Sequence, residues 1–190
     1  MEMTGERRIP ASRQTVWDAL NDPEILKQCI AGCEELEKTS DTAFAARVTS
    51  RVGPVTAKFT GKVELSDVDP PNGYTISGEG QGGVAGFAKG GAKVSLADDG
   101  DGTLLTYEAT GTVGGKLAQI GSRLIDSTAR KMADDFFDKF AEAVGGAAEE
   151  PVEEPAEAPA PPAKSEGLSP AVWIGGLVAI AVIVLVIVLS

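Results

Sequence analysis

Side chains capable of nucleophilic attack, proton transfer or metal binding are scarce in this chain. No histidine occurs among its 190 residues, which excludes a Ser-His-Asp triad, a Cys-His pair and any histidine ligand to zinc or haem. The two cysteines, Cys29 and Cys33, cannot complete a four-thiolate zinc or iron–sulfur site by themselves. We therefore expect structural thiols, and a cytosolic location disfavours a disulfide between them.

Two short motifs resemble ligand sites but stand in the wrong context. Residues 78–83 match the dinucleotide pattern G-x-G-x-x-G, yet a strand pattern follows where a phosphate site needs the start of a helix. Asp98, Asp99 and Asp101 lack the spacing and the distant glutamate of an EF-hand, which favours a solvated turn. No carboxylate pair falls on the apolar strand face. The sequence thus predicts no catalytic residue, no metal site and no enzyme.

Charge and composition divide the chain into three segments. The net charge of −11 argues against nucleic acid as a partner. Residues 1–144 have the size and patterning of one domain, and residues 145–170, rich in glutamate, proline and alanine, predict a disordered linker. Residues 171–189 are uniformly apolar and long enough for a transmembrane helix. With no signal peptide, we expect a single-pass C-terminal anchor and a domain at the cytoplasmic face of the cell membrane.

The elements that must position any site follow from periodicity and turn residues. Ser12 and Asp22 predict the caps of two short helices. Strands are predicted over 1–9, 44–52, 55–68, 74–80, 87–96 and 103–113, followed by a helix over 116–144. The apolar stripe of that helix comprises Leu117, Ile120, Leu124, Thr128, Met132, Phe136, Phe140 and Val144. This order predicts an α+β helix-grip fold, in which a curved antiparallel sheet of five or six strands wraps on a long C-terminal helix.

The inner face of the predicted sheet is apolar but unusually small. Glycine and alanine recur on it, and they leave unfilled much of the roughly 10 Å that separates a sheet from a helix. Two interpretations stay open: a strongly coiled sheet packed tightly on the helix, or an apolar cavity that binds an apolar ligand. The predicted cavity residues are Phe44, Ala46, Val48, Phe59, Gly61, Ile76, Val84, Phe87, Ala92, Val94, Leu105, Tyr107, Ala109, Ile120, Leu124 and Phe136.

Three of these residues have open roles. Val84 and Phe87 are expected to be exposed apolar tips of the glycine-rich stretch 78–91, which either gates the cavity, contacts lipid or a partner, or forms an ordinary hairpin. Tyr107 falls on the inner face, where its hydroxyl could donate a hydrogen bond to a ligand carbonyl or be satisfied within the core.

At this point the residues resemble a known family. The stretches are VWDALNDP at 16–23, GCE at 32–34, VGPV at 52–55, FTGKV at 59–63, GFAKG at 86–90, GTLLTY at 102–107, GGKLA at 114–118, GSRLI at 121–125 and DFF at 135–137. They resemble the G subunit of carbon monoxide dehydrogenase (CoxG), within the START/polyketide-cyclase-like (SRPBCC) helix-grip superfamily. One departure is Ala31, where the family commonly has proline before Gly32 and Cys33.

The resemblance implies a partner and a ligand. The partner would be a molybdenum-containing carbon monoxide dehydrogenase, which must pass electrons to the quinone pool of the membrane. The chain would then carry a respiratory quinone (menaquinone or ubiquinone) to that enzyme and recruit it to the membrane lipid, with no covalent cofactor. The alternative is a recruitment or maturation anchor without ligand transport. A cyclase-like or hydrolytic enzyme is disfavoured by the missing histidine and acid pair.

Overall fold

The computed structural model describes residues 1–145. Its strands are β1 (Glu2–Ile9), β2 (Cys33–Ser40), β3 (Ala43–Val52), β4 (Val55–Asp69), β5 (Gly73–Gln81), β6 (Phe87–Asp99) and β7 (Gly102–Gly114), and its helices are α1 (Arg13–Ala19), α2 (Pro23–Cys29) and α3 (Ser122–Gly145). The anchor predicted at 171–189 and, beyond residue 145, the predicted linker lie outside the described residues. Within residues 1–145, no helix has the length and apolarity needed to cross a membrane.

The strands form one antiparallel sheet in the order β1-β7-β6-β5-β4-β3-β2. The predicted α+β fold with a curved antiparallel sheet under a C-terminal helix is confirmed, but the predicted number of five or six strands is wrong. The missed strand is β2, at one edge of the sheet, where Leu36 is the single fully buried side chain. Because β2 buries only one side chain, its sequence lacks the apolar alternation by which the other strands are recognised.

The two short helices begin where the sequence predicts. The Ser12 hydroxyl accepts a hydrogen bond from the Thr15 N–H at 3.2 Å, and the Asp22 carboxylate accepts one from the Glu24 N–H at 2.8 Å. Each bond satisfies a backbone donor that the first helical turn leaves without a partner. Pro23 occupies the first turn of α2, where its missing N–H is harmless.

The C-terminal helix differs from its prediction in both start and rotation. It begins at Ser122 rather than at residue 116, since Gly121 adopts φ +97° and a 3₁₀ turn, Ala118–Ile120, precedes it. Its buried residues are Ile125, Ala129, Ala133, Phe136, Phe137, Phe140 and Val144. The predicted stripe is therefore correct for the second half of the helix and wrong for the first, where Leu124 is exposed and Thr128 and Met132 are half-buried.

Antiparallel order gathers the connections at two ends of the domain. We call the first the open end: it contains the β3–β4 turn at 53–54, the β5–β6 loop at 82–86 and the segment 115–121 that leads into α3. These connections bind one another, because the Leu117 N–H donates to the Ala85 carbonyl at 3.0 Å. The opposite, far end contains the turns at 41–42, 70–72 and 100–101, and the last residue of α3, Gly145, lies there beside Pro10.

Candidate ligand site

The inner face of the sheet brings most of the predicted cavity residues together. Those that are fully buried on it or on the facing helix are Phe44, Ala46, Val48, Phe59, Gly61, Ile76, Ala92, Val94, Leu105, Tyr107, Ala109 and Phe136. They follow the alternation of the strands, and they join one continuous apolar core with α1 and α2. The side chains predicted from strand parity thus share one surface.

Aromatic rings of α3 fill the middle of that surface. Phe137 stacks on Tyr107 with ring centroids 5.4 Å apart, and Phe136 stacks on Phe140 at 5.7 Å. Phe137 was not predicted as a site residue, although it directly follows Phe136 and both are 3 % exposed or less. These rings occupy the volume that glycine and alanine leave free. The middle of the inner face is therefore tightly packed, as the first of the two interpretations expects.

The inner face is less closed near the open end. Val55, Ala57 and Val113 on the strands, with Ile120 and Met132 above them, contact the core while remaining partly exposed. Leu124, in the first turn of α3, is 41 % exposed. It lies against the β3–β4 turn, where a Cβ at Gly53 would come within 2.7 Å of its Cδ2. An accessible apolar surface therefore continues from the core to the open end.

A row of three glycines crosses the sheet on the same side as the core residues. Gly78 of β5 pairs with Gly90 of β6, which pairs with Gly111 of β7. Each is half-buried, and none contributes a side chain to the space between sheet and helix. Three adjacent strands thus place no side chain at the same level of the sheet, two residues along β7 from the half-buried Val113.

Val84 and Phe87 are confirmed as exposed apolar tips, but they do not line the core. Val84 is 87 % exposed in the 3₁₀ turn Gly83–Ala85, and Phe87 is 44 % exposed. The Phe87 ring covers Gly114 of the neighbouring strand, where an added Cβ would meet it at 2.3 Å. Since buried Ala88 follows it, alternation places Phe87 on the outer face of the sheet. Both side chains were expected near the mouth of a cavity, and neither contributes to the buried inner face.

Tyr107 has the environment of a protonated hydrogen-bond donor. Its hydroxyl lies over Gly5 of the paired strand, where a Cβ would come within 2.5 Å of the oxygen. Burial raises the pKa of the phenol, and the nearby Arg7 guanidinium opposes this only in part. The second tyrosine, Tyr74, contacts Trp17 edge-on near the far end, with centroids 5.6 Å apart. Tyr107 is therefore a phenol that keeps its proton at neutral pH.

The cysteines are free thiols with little tendency to ionise. Cys29 is buried, and burial raises its pKa from the ordinary 9.0 to about 11. The pKa of the half-buried Cys33 is raised for the same reason, against the opposing charge of Lys27. A protonated thiol is a poor nucleophile and a poor metal ligand. In the described residues, no three side chains of the ligating types come close enough to form a metal site.

The buried thiol predicts a loss of stability at alkaline pH. The folded state holds the Cys29 proton more tightly than the unfolded chain, so this contribution to stability is complete below pH 9.0 and declines as the pH rises to about 11. Urea unfolding of the Cys29→Ala variant should show a smaller loss between these pH values than the parent chain. An identical loss in both proteins would assign the effect to other groups.

Solved structures share this architecture. A conserved protein from Geobacillus kaustophilus is 30 % identical, with a TM-score of 0.73, and the match covers 77 % of this chain and 97 % of that one. A Thermus thermophilus protein is 18 % identical, with a TM-score of 0.61, over 78 % of this chain and all of the other. Ara h 8.0201, at 13 % identity and a TM-score of 0.55, covers 77 % of this chain and 98 % of its own.

The family assignment rests on a match over nearly the whole described domain. No curated protein matches the chain significantly. The sequence profile of the G subunit of carbon monoxide dehydrogenase (CoxG) matches residues 5–145, from β1 to the end of α3. The chain belongs to the CoxG family of carbon monoxide dehydrogenase proteins.

Proposed function

We propose that this protein is a membrane-tethered carrier that binds a respiratory quinone, menaquinone or ubiquinone, and delivers it to a molybdenum-containing carbon monoxide dehydrogenase for reduction. The quinone carries the redox chemistry, so the chain itself performs no reaction. The family supports association with the dehydrogenase. The apolar segment 171–189 would hold the protein in the membrane, and residues 145–170 would let the domain reach the enzyme while its effective concentration there stays high.

The observation that carries the proposal is the change along the inner face. Its middle is filled by rings, whereas toward the open end the apolar side chains are only half-buried and a row of three glycines places no side chain on the sheet. An isoprenoid chain is apolar and flexible enough to follow such a surface, and burying it is favourable by about 25 cal/mol per Å².

A specific observation supports a second function. The fully buried stack of Phe136, Phe137 and Phe140 leaves the central inner face without free volume. A domain filled in this way fits a recruitment or maturation anchor that holds the dehydrogenase at the membrane and transports no ligand. The two functions differ in one measurable respect, which is whether quinone accompanies the purified protein.

Substitution of Ala57 by tryptophan tests the carrier. Ala57 is half-buried near the open end, so the larger side chain can be accommodated at the rim while it obstructs the apolar surface. We expect the full-length protein to yield quinone on solvent extraction. The quinone content of the Ala57→Trp variant should be lower by a factor of about ten or more, which corresponds to roughly 1.4 kcal/mol of binding free energy. Chromatography of the extract measures the quinone.

Two controls complete this experiment. Thr56→Trp adds the same ring at the neighbouring exposed position, on the opposite face of β4, and should leave the quinone content unchanged. Co-purification with the dehydrogenase should be the same for the parent and both variants. If the parent protein carries no quinone and takes none up in titration while still binding the enzyme, the recruitment anchor is the correct function.

A further inference from the structure

Apolar side chains project into solvent at the open end. Val84, Leu124 and Phe87 are the exposed large apolar side chains of residues 1–145, and all three belong to the open end. Val84 occupies the tip of a turn between two glycines with positive φ, Gly83 and Gly86. Their grouping at one end of the domain makes this end the candidate contact surface of residues 1–145.

The charge of the same end is opposite to that of the protein. The net charge is −11, yet residues 51–63, 80–97 and 109–125 contain seven basic side chains and no carboxylate. Of these, Arg51, Lys89, Lys116 and Arg123 lie beside the exposed apolar tips, and within the described residues none of the four forms a salt bridge. Lys58 is paired, with Glu34 at 2.8 Å. Carboxylates adjoin these stretches in sequence at Glu64, Glu79, Asp98, Glu108 and Asp126. Glu79 pairs directly across from Lys89, and Glu2 and Glu34 lie beside the stretches in the sheet.

The far end carries the balancing negative charge. Six aspartates lie in or beside its turns: Asp41, Asp67, Asp69, Asp98, Asp99 and Asp101. Arg8 pairs with Asp99 and Asp101, and Arg13 pairs with Asp98. The remaining aspartates keep this end negative. The domain is therefore an electric dipole whose positive pole coincides with its apolar tips.

We infer that the open end docks on a bilayer surface that contains anionic lipid. The apolar tips, with Val84 foremost, enter the region between headgroups and acyl chains, while the four basic side chains contact lipid phosphates. The dipole turns this end toward a negative surface and holds the acidic far end away from it. This inference rests on the proposed function, since it names the surface through which an apolar ligand enters the domain directly from the bilayer.

A spin label on the full-length chain tests the orientation. The label is placed by Val84→Cys in a Cys33→Ser background, and by Asp101→Cys, whose side chain is 95 % exposed at the far end. The protein is reconstituted in vesicles of phosphatidylcholine alone or with about 30 % phosphatidylglycerol. We expect the label at position 84 to gain accessibility to oxygen and lose accessibility to a nickel complex in the anionic vesicles, and the label at position 101 to show neither change.

Charge removal supplies the matched comparison. Each basic group near an anionic surface favours binding by roughly fivefold, so Lys116→Gln with Arg123→Gln should lower the ratio of docked to undocked domain about 25-fold. Lys131→Gln with Lys139→Gln removes the same charge further along α3 and should change this ratio less than about twofold. Equal effects of the two pairs would attribute docking to net charge alone and overturn the inference.

The outcomes separate docking from carriage. An unchanged label at position 84 in anionic vesicles overturns the docking surface, and protection that appears only with added dehydrogenase reassigns the open end to that enzyme. Quinone content is measured on the same samples. Quinone binding without docking refutes only this inference, whereas docking without quinone refutes the carrier and leaves the lipid surface in place.

Discussion

Phe140→Ala should lower the free energy of unfolding by about 3–5 kcal/mol. Phe140 is completely buried and its ring stacks on Phe136 at 5.7 Å, so removing it leaves a cavity in a region enclosed by α3 and the sheet. The surrounding rings are held by their own contacts and can close only part of that cavity. Equilibrium urea unfolding, followed by circular dichroism, measures the change.

A second helix position calibrates this expectation. Leu124 lies on the same helix but is 41 % exposed, so Leu124→Ala should cost about 1 kcal/mol or less. If Phe140→Ala were equally mild, the second half of α3 would not form a closed core, and the site would extend further along the helix. The quinone content of Phe140→Ala would then be the quantity to measure next.

Gly86→Ala should destabilise the domain by about 3–5 kcal/mol. Gly86 has φ +117° and ψ −148°, a backbone conformation open essentially to glycine alone. A Cβ would also approach the Gly114 carbonyl oxygen to 2.0 Å, where β6 and β7 meet at the open end. Both strand ends would have to separate to admit the methyl group. Urea unfolding again gives the magnitude.

The neighbouring Gly83 separates backbone conformation from crowding. It has φ +59°, in the left-handed region, and nothing lies within 4 Å of a Cβ placed there. Gly83→Ala should therefore cost only about 1–2 kcal/mol, the ordinary penalty of that region. Equal costs at the two positions would mean that the approach to Gly114 is relieved without strain, and that the β5–β6 loop adapts more freely than its hydrogen bonds indicate.

Local chemistry explains why much of the fold was predictable. The caps at Ser12 and Asp22 depend on atoms two or three residues away, and the strands β3 to β7 alternate between apolar and polar side chains over 9 to 15 residues. Their turns contain glycine, proline and aspartate. Each of these features is fixed by nearby residues, so the residue types alone are sufficient to locate it.

The predictions for α3 and β2 failed because contacts with residues distant in sequence determine these elements. The first half of α3 offers two rows with the same spacing, Leu124 with Thr128 and Ile125 with Ala129, and the structure buries the smaller row. Periodicity cannot choose between such rows, because the choice depends on how closely the sheet approaches. The same holds for β2, which is recognised as a strand only by its pairing with β3.

The same distinction between local and long-range contacts applies to the candidate site. The alternation of side chains along each strand correctly predicted which residues share the inner face, because alternation is a local property. It could not show that Phe136, Phe137 and Phe140 fill the centre, since that depends on the depth at which α3 crosses the sheet. Alternation also places Phe87, next to buried Ala88, on the outer face of the sheet.

The position of β1 has a consequence for how the chain acquires its structure. From β2 to β7 every strand pairs with its sequence neighbour, so these contacts close short loops and can form early. In contrast, β1 pairs with β7, and the Met1 amino group donates to the Gly111 carbonyl 110 residues away. β1 therefore has no partner strand until β7 has formed. Folding would end with β1 joining the meander and α3 closing over both.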